Sequence, residues 1–81
     1  MKIEFSKNFN LEYKKIKDKS TRLNILAQIK KLEENPESGK PLKNKLKGYR
    51  CLRVKSFRII YRISNEKIII ITFESRDKVY K

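Results

Sequence analysis

The chain has 81 residues, with 22 Lys+Arg against 9 Asp+Glu, no histidine and one cysteine, for a net charge of +13. That length predicts a single domain over residues 1–81 with a thin core. The lone Cys51 excludes an internal disulfide, the lack of histidine argues against zinc and copper sites, and the longest apolar run, Ile68 to Ile71, is far too short to cross a bilayer.

Lys2-Ile3-Glu4-Phe5 alternates polar and apolar residues and reads as a short strand. Ser6 or Asn8 is placed to cap the next segment. Phe9, Tyr13 and Ile16, flanked by Leu11, predict a first helix over about residues 8–17. Asp18-Lys19-Ser20 breaks it, and Ser20 is a suitable N-cap for a second helix from about Thr21 to Glu34. Its apolar stripe is Ile25, Leu26, Ile29 and Leu32. Asn35-Pro36 ends it, because the residue before proline avoids helical dihedrals. Residues 35–48 contain both prolines and both glycines and read as a loop. Three strand signals follow: Tyr49 to Lys55, Phe57 to Ser64 and Lys67 to Glu74, the last two joined by a turn at Asn65-Glu66.

The expected fold is α+β. An N-terminal strand and a helical hairpin pack on a three- to four-stranded, mainly antiparallel twisted sheet, with the first strand on one edge.

Charge is distributed unevenly along this scaffold. Between Glu37 and Glu66 there is no acidic residue, but there are nine basic ones: Lys40, Lys43, Lys45, Lys47, Arg50, Arg53, Lys55, Arg58 and Arg62. Solvating surfaces usually mix both signs, so a one-sign stretch suggests a polyanion or acidic partner. Strand alternation sorts these residues. Leu52 and Val54 share one face of their strand, and Phe57, Ile59, Tyr61 and Ile63 share one face of the next. Arg53, Arg58 and Arg62 then project from the opposite, open face. Lysine and arginine on a solvated face are ordinary. Here, though, arginine holds the strands while lysine holds the helices and loop. The guanidinium fork suits bidentate phosphate contacts. Like charges opposed on neighbouring strands also cost stability, which an anion would relieve. Cys51 has no histidine to activate it and reads as a small packing residue.

The chain resembles the RelE/ParE toxin superfamily over nearly its whole length. The likeness rests on Leu46-Lys47-Gly48, Tyr49-Arg50-Cys51-Leu52-Arg53-Val54, Phe57-Arg58-Ile59-Ile60-Tyr61 and Ser75-Arg76-Asp77-Lys78-Val79-Tyr80 in that order. The resemblance implies a RelE-like toxin of a type II toxin–antitoxin pair. RelE-type members cut mRNA in the ribosomal A site, using the nucleotide's own 2′-hydroxyl as nucleophile and no cofactor or metal. On that likeness Arg53, Arg58, Arg76 and Tyr80 are the catalytic candidates; some members carry a basic residue where this chain has Glu74, and Glu74 or Tyr80 is the candidate general base. Lys43, Lys45, Lys47, Arg50, Lys55, Arg62 and Lys78 are the RNA-binding candidates. Some members carry a second lysine where this chain has Cys51. Two alternatives stay open: a ParE-like DNA gyrase inhibitor, and a basic RNA-binding module without catalysis. The expected partners are the ribosome, mRNA and an acidic RelB-like antitoxin that wraps the toxin as a heterodimer or heterotetramer. The N-terminal residues do not resemble a secretion signal, so the expected location is the cytoplasm.

Overall fold

A computed structural model describes residues 1–75 of the chain. Strand β1 (Lys2–Phe5) leads into helices α1 (Lys7–Lys14) and α2 (Lys19–Lys30), then a two-residue strand β2 (Lys40–Pro41) and the meander β3 (Arg50–Val54), β4 (Phe57–Ser64) and β5 (Lys67–Ser75). The sheet has five strands in the order β1-β5-β4-β3-β2. Strand β1 is parallel to β5, with Ile3 opposite Ile68, and the other pairs are antiparallel. The sheet is mainly antiparallel with β1 on one edge, as expected, and has one strand more than the three to four expected. The extra strand is Lys40–Pro41, inside the expected loop. It is too short to leave a pattern, and its proline is tolerated because it lies on the sheet edge.

Local chemistry accounts for the helix boundaries. Ser6 caps α1: its hydroxyl accepts from the Phe9 amide at 3.0 Å and donates to the Ile71 carbonyl, while its own amide bonds the Ile70 carbonyl at 2.9 Å. One residue thus ties β1, α1 and β5 together. Asn8, the other capping candidate, instead donates to Thr72 Oγ1 at 2.7 Å. Helix α1 stops at Lys14, short of the expected residue 17, and Ile16 still reaches the core from the connecting turn. Asp18, not Ser20, is the N-cap of α2. Its carboxylate accepts the Thr21 hydroxyl at 2.5 Å, a bond that holds its pKa below the usual aspartate value. The end of the second helix tightens into a 3-10 turn at Lys31–Glu33.

The core lies between the helices and one sheet face: Phe9, Ile25, Ile29, Leu32, Val54, Ile59, Tyr61, Ile68, Ile70 and Phe73. Phe73 meets Phe9 and Phe57 edge-on, with ring centroids 5.4 and 5.6 Å apart. Leu26, expected in the buried stripe, faces outward. A bulge sets the register of β5. Ile60 pairs with Thr72 and Tyr61 with Ile70, so Ile71 has no opposite residue. That extra residue shifts the alternation, and Ile68, Ile70 and Phe73 all reach the core.

Candidate phosphate-binding face

The side of the sheet away from the helices is built row by row from cross-strand pairs. Arg53 on β3 lies opposite Arg58 on β4, and Arg58 lies opposite Glu74 on β5. The next row runs Lys40, Cys51, Ile60 and Thr72 across four strands. Arg62 lies opposite Ile69 in a further row, and Ile69 opposite Glu4. Residues opposite each other share a face, so Arg53, Arg58, Arg62, Lys40 and Glu74 converge here. Cys51 and Ile60 are only 8% and 5% exposed yet lie outside the main core, and they give this face a small apolar floor. The reach from Arg53 to Glu74 covers two strand spacings, about 10 Å, enough for a phosphodiester group and its sugar.

Arg58 is the central member of the first row. It is half-buried, while Arg53, Arg62 and Glu74 are exposed. The neighbouring Cys51 sulfur and, least of the causes, the Glu74 carboxylate raise its pKa further against the opposing effect of burial, so it is cationic at every working pH. The ion pairs among the described residues are Glu12–Lys15 and Glu4–Lys67. None of Arg53, Arg58 and Arg62 makes an ion pair with a described carboxylate. Arg53 opposite Arg58 is a like-charge pair that an anion seated between them would relieve.

The other candidates separate by position. Lys43, Lys45 and Lys47 are exposed around a 3-10 turn at Asn44–Leu46, and Lys55 is exposed on the β3–β4 turn at φ 55°. Arg50 is not on the open face. It lies opposite Tyr61, and its Nη1 donates to the carbonyls of Glu37 and Gly39 at 3.0 and 2.8 Å. Its guanidinium therefore anchors the chain that leads into β2. Arg76, Lys78 and Tyr80 lie outside the described residues.

Two features went unread in the sequence. The first is Lys40, which the short β2 brings next to Cys51 on the open face. No strand signal covers Lys40–Pro41, so its face was not legible. The second is the anchor around Tyr61. This fully buried hydroxyl donates to the Pro36 carbonyl at 2.8 Å and accepts from the Gly39 amide at 2.9 Å. Burial raises its pKa, with the Gly39 amide bond opposing. With Arg50 it fixes the 36–39 turn and hence the start of β2.

A cleft of about 530 Å³ opens elsewhere, between the α1–α2 link and the end of β5, lined by Ile16, Asp18, Phe57 and Phe73 among others. It shares Thr72 and Glu74 with the arginine face and carries no arginine. Among the described residues, no group of three or more His, Cys, Asp or Glu side chains could hold a metal. Nor is any described helix long and apolar enough to cross a membrane.

A strand and helical hairpin laid over a mixed sheet, with arginines gathered on the uncovered face, define a RelE/ParE-type toxin fold. The family model for the ParE toxin of type II toxin–antitoxin systems matches residues 3–80. The chain belongs to that family. No curated protein sequence matches it. Among solved structures it is similar to the RelBE2 toxin–antitoxin complex of Mycobacterium tuberculosis, at TM-score 0.82 and 23% identity over 93% of this chain and 96% of that one. It is also similar to the chromosomal ParDE system of P. aeruginosa, at TM-score 0.78 and 17% identity over 93% and 95%. A third likeness is to the YoeB–YefM complex of Staphylococcus aureus, at TM-score 0.77 and 23% identity over 91% and 94%.

Proposed function

We infer that this type II toxin is a ribosome-dependent endoribonuclease that cuts mRNA in the A site. The observation that carries the reading is the Arg53–Arg58–Glu74 row, with Lys40 beside it. In the proposed reaction the 2′-oxygen attacks the adjacent phosphorus and the bond from phosphorus to the 5′-oxygen breaks. A cyclic phosphate and a free 5′-hydroxyl result. Glu74 takes the 2′-hydroxyl proton. Arg58 holds the scissile phosphate, and Arg53 stabilises the charge that builds on its oxygens. Arg76 stabilises the charge on the leaving 5′-oxygen, and the Tyr80 hydroxyl donates the proton that makes it a 5′-hydroxyl. Lys43, Lys45, Lys47, Lys55, Arg62 and Lys78 bind RNA by charge. The site of action is the cytoplasm, on the ribosome, and an acidic antitoxin covers the toxin at rest. Support for that partner comes from solved relatives that are toxin–antitoxin complexes.

A second reading is favoured by the matching family itself, whose description is ParE toxin. There the chain inhibits DNA gyrase and does no RNA chemistry. Two parallel assays separate the readings. Ribosome-dependent cuts in a translating extract, with gyrase supercoiling untouched, support the nuclease. Inhibited supercoiling with intact messages supports the gyrase inhibitor.

A further inference from the structure

The cleft between the α1–α2 link and the end of β5 opens around the strand that carries Glu74. Its floor is apolar and aromatic: Ile16, Phe57 and Phe73, with the two phenylalanine rings edge-on at 5.6 Å. Its rim differs in charge from the rest of the chain. Glu12, Asp18 and Glu74 outnumber Lys15 and Lys17, in a molecule at +13. One wall is a bare strand edge. Strand β1 ends at Phe5, opposite Ile70, and Ser6 takes up the carbonyls of Ile70 and Ile71. Past that point no described strand pairs with β5 on the side away from β4. Alternate residues of an antiparallel strand turn their amides and carbonyls to opposite sides, so part of the Thr72–Glu74 main chain is left for another partner. An aromatic floor, a volume of about 530 Å³ and a short row of main-chain donors and acceptors suit one splayed nucleobase, which stacks by its face and hydrogen-bonds by its edge.

We propose that this cleft is a base subsite, and that it takes the purine of the nucleotide that carries the attacking 2′-hydroxyl. The choice of nucleotide rests on the nuclease reading above. There Glu74 removes the 2′-hydroxyl proton, and Glu74 belongs both to the cleft and to the Arg53–Arg58 row. The sugar on the 5′ side of the scissile phosphate then sits at their boundary, and its base turns over the β5 edge onto Ile16 and Phe57. Charge sorts the two ends of that nucleotide. The arginines hold the phosphate, while the carboxylates of the rim keep phosphate out of the cleft. Asp18 is committed to the Thr21 hydroxyl, whereas Glu12 has a loose 3.7 Å contact with Lys15 and is the rim acceptor for a base N–H group. A purine gains more than a pyrimidine because its double ring covers more of the floor. A protein strand would use the same edge, but the shared Thr72 and Glu74 make the cleft continuous with a phosphate-binding row, which favours a nucleotide.

The test uses the full chain without ribosomes and a dinucleotide of 2′-deoxyadenosine followed by uridine, which has no attacking hydroxyl and is not cut. Two comparison dinucleotides carry an abasic site in place of the adenine or of the uracil. In a nuclear magnetic resonance titration at low salt, the adenine probe is expected to bind at least ~10-fold more tightly than its adenine-lacking counterpart. It should shift the signals of Ile16, Thr21 and Phe57, and loss of the downstream uracil should leave those shifts in place. Phe57→Leu should abolish the adenine advantage, and Phe57→Tyr, which keeps a ring, should retain it. The comparison between probes stands even if the leucine variant folds poorly. Equal affinity of the adenine and abasic probes overturns the proposal. So do shifts confined to the arginine face, or an uncharged strand peptide that binds the cleft more tightly than the adenine probe. Nuclear Overhauser contacts from Tyr80 to Phe57 that persist at saturating probe also overturn it, since the chain's own end would then be the occupant. Nothing is cut in this assay. Adenine-dependent binding without ribosome-dependent cleavage therefore removes the nuclease reading alone, and cleavage without adenine-dependent binding removes the base subsite alone.

Discussion

Replacing Tyr61 by phenylalanine removes a single oxygen that holds two backbone groups of the 36–39 turn. The ring remains, so the core keeps its volume and no sizeable cavity forms. The Gly39 amide and the Pro36 carbonyl both lose their partner, now at 2.9 and 2.8 Å. Gly39 is buried, so water cannot easily replace the hydroxyl there, whereas Pro36 is half-buried and partly accessible. A buried group left unsatisfied costs about 1–3 kcal/mol. The amide should incur most of that and the carbonyl little, for a loss of about 2 kcal/mol. In a domain of this size the melting temperature should drop by roughly 8–16 °C. Urea unfolding followed by circular dichroism measures it, with an unchanged m-value showing that the fold itself is retained. A loss below about 0.5 kcal/mol, the range of surface substitutions, would refute the anchor. The pH dependence carries a second signature. Burial raises the Tyr61 pKa, so the folded state holds the phenolic proton more tightly than the unfolded chain. Its contribution is full below the ordinary tyrosine value near ~10 and falls away as pH rises past it. The phenylalanine variant should lose less stability than wild type over that alkaline window.

Three further substitutions test neighbouring points. Gly39→Ala would put a Cβ 2.5 Å from the Tyr61 Oη and 2.7 Å from its Cε1, so the anchor must open. The loss should be about 2 kcal/mol and largely non-additive with Tyr61→Phe in a double-mutant cycle. Asn65 and Glu66 both have positive φ, 50° and 60°, in the β4–β5 turn. Glu66→Gly relieves a left-handed non-glycine residue and should raise stability by about 0.5–1 kcal/mol in thermal melts. Arg53→Gln removes a like-charge opposition to Arg58, so stability should hold or rise by a few tenths of a kcal/mol. The same change should lower the salt slope of RNA binding by about one.

The order of elements was readable because each carries its own period. The stripe of Ile25, Ile29 and Leu32 and the alternation of Phe57, Ile59, Tyr61 and Ile63 are local patterns that the tertiary fold obeys. The same alternation put Arg53 and Arg58 on one face, and their pairing bears it out. What escaped was set by non-local contacts. Lys40–Pro41 becomes a strand only because β3 offers it an edge. The β5 bulge exists because Ile70 and Phe73 must both reach the core, and a run of four isoleucines hides the shift. Leu26 satisfies a helical stripe as well as Ile25 does, and only packing against the sheet decides between them. Arg50 reads as one more cation in a basic stretch until the carbonyls of Glu37 and Gly39 close on it.

The central claim is that Arg58 holds a scissile phosphate. Its most direct test is primer-extension mapping of cuts on ribosome-bound messages, comparing wild type, Arg58→Ala and Arg58→Lys at equal protein concentration. The account expects cuts with wild type and a loss of about 10²–10³-fold in Arg58→Ala. Arg58→Lys should recover only part of this, because a point charge replaces a fork. Cleavage by Arg58→Ala at the wild-type rate, or wild-type protein that leaves ribosome-bound messages intact, would contradict it.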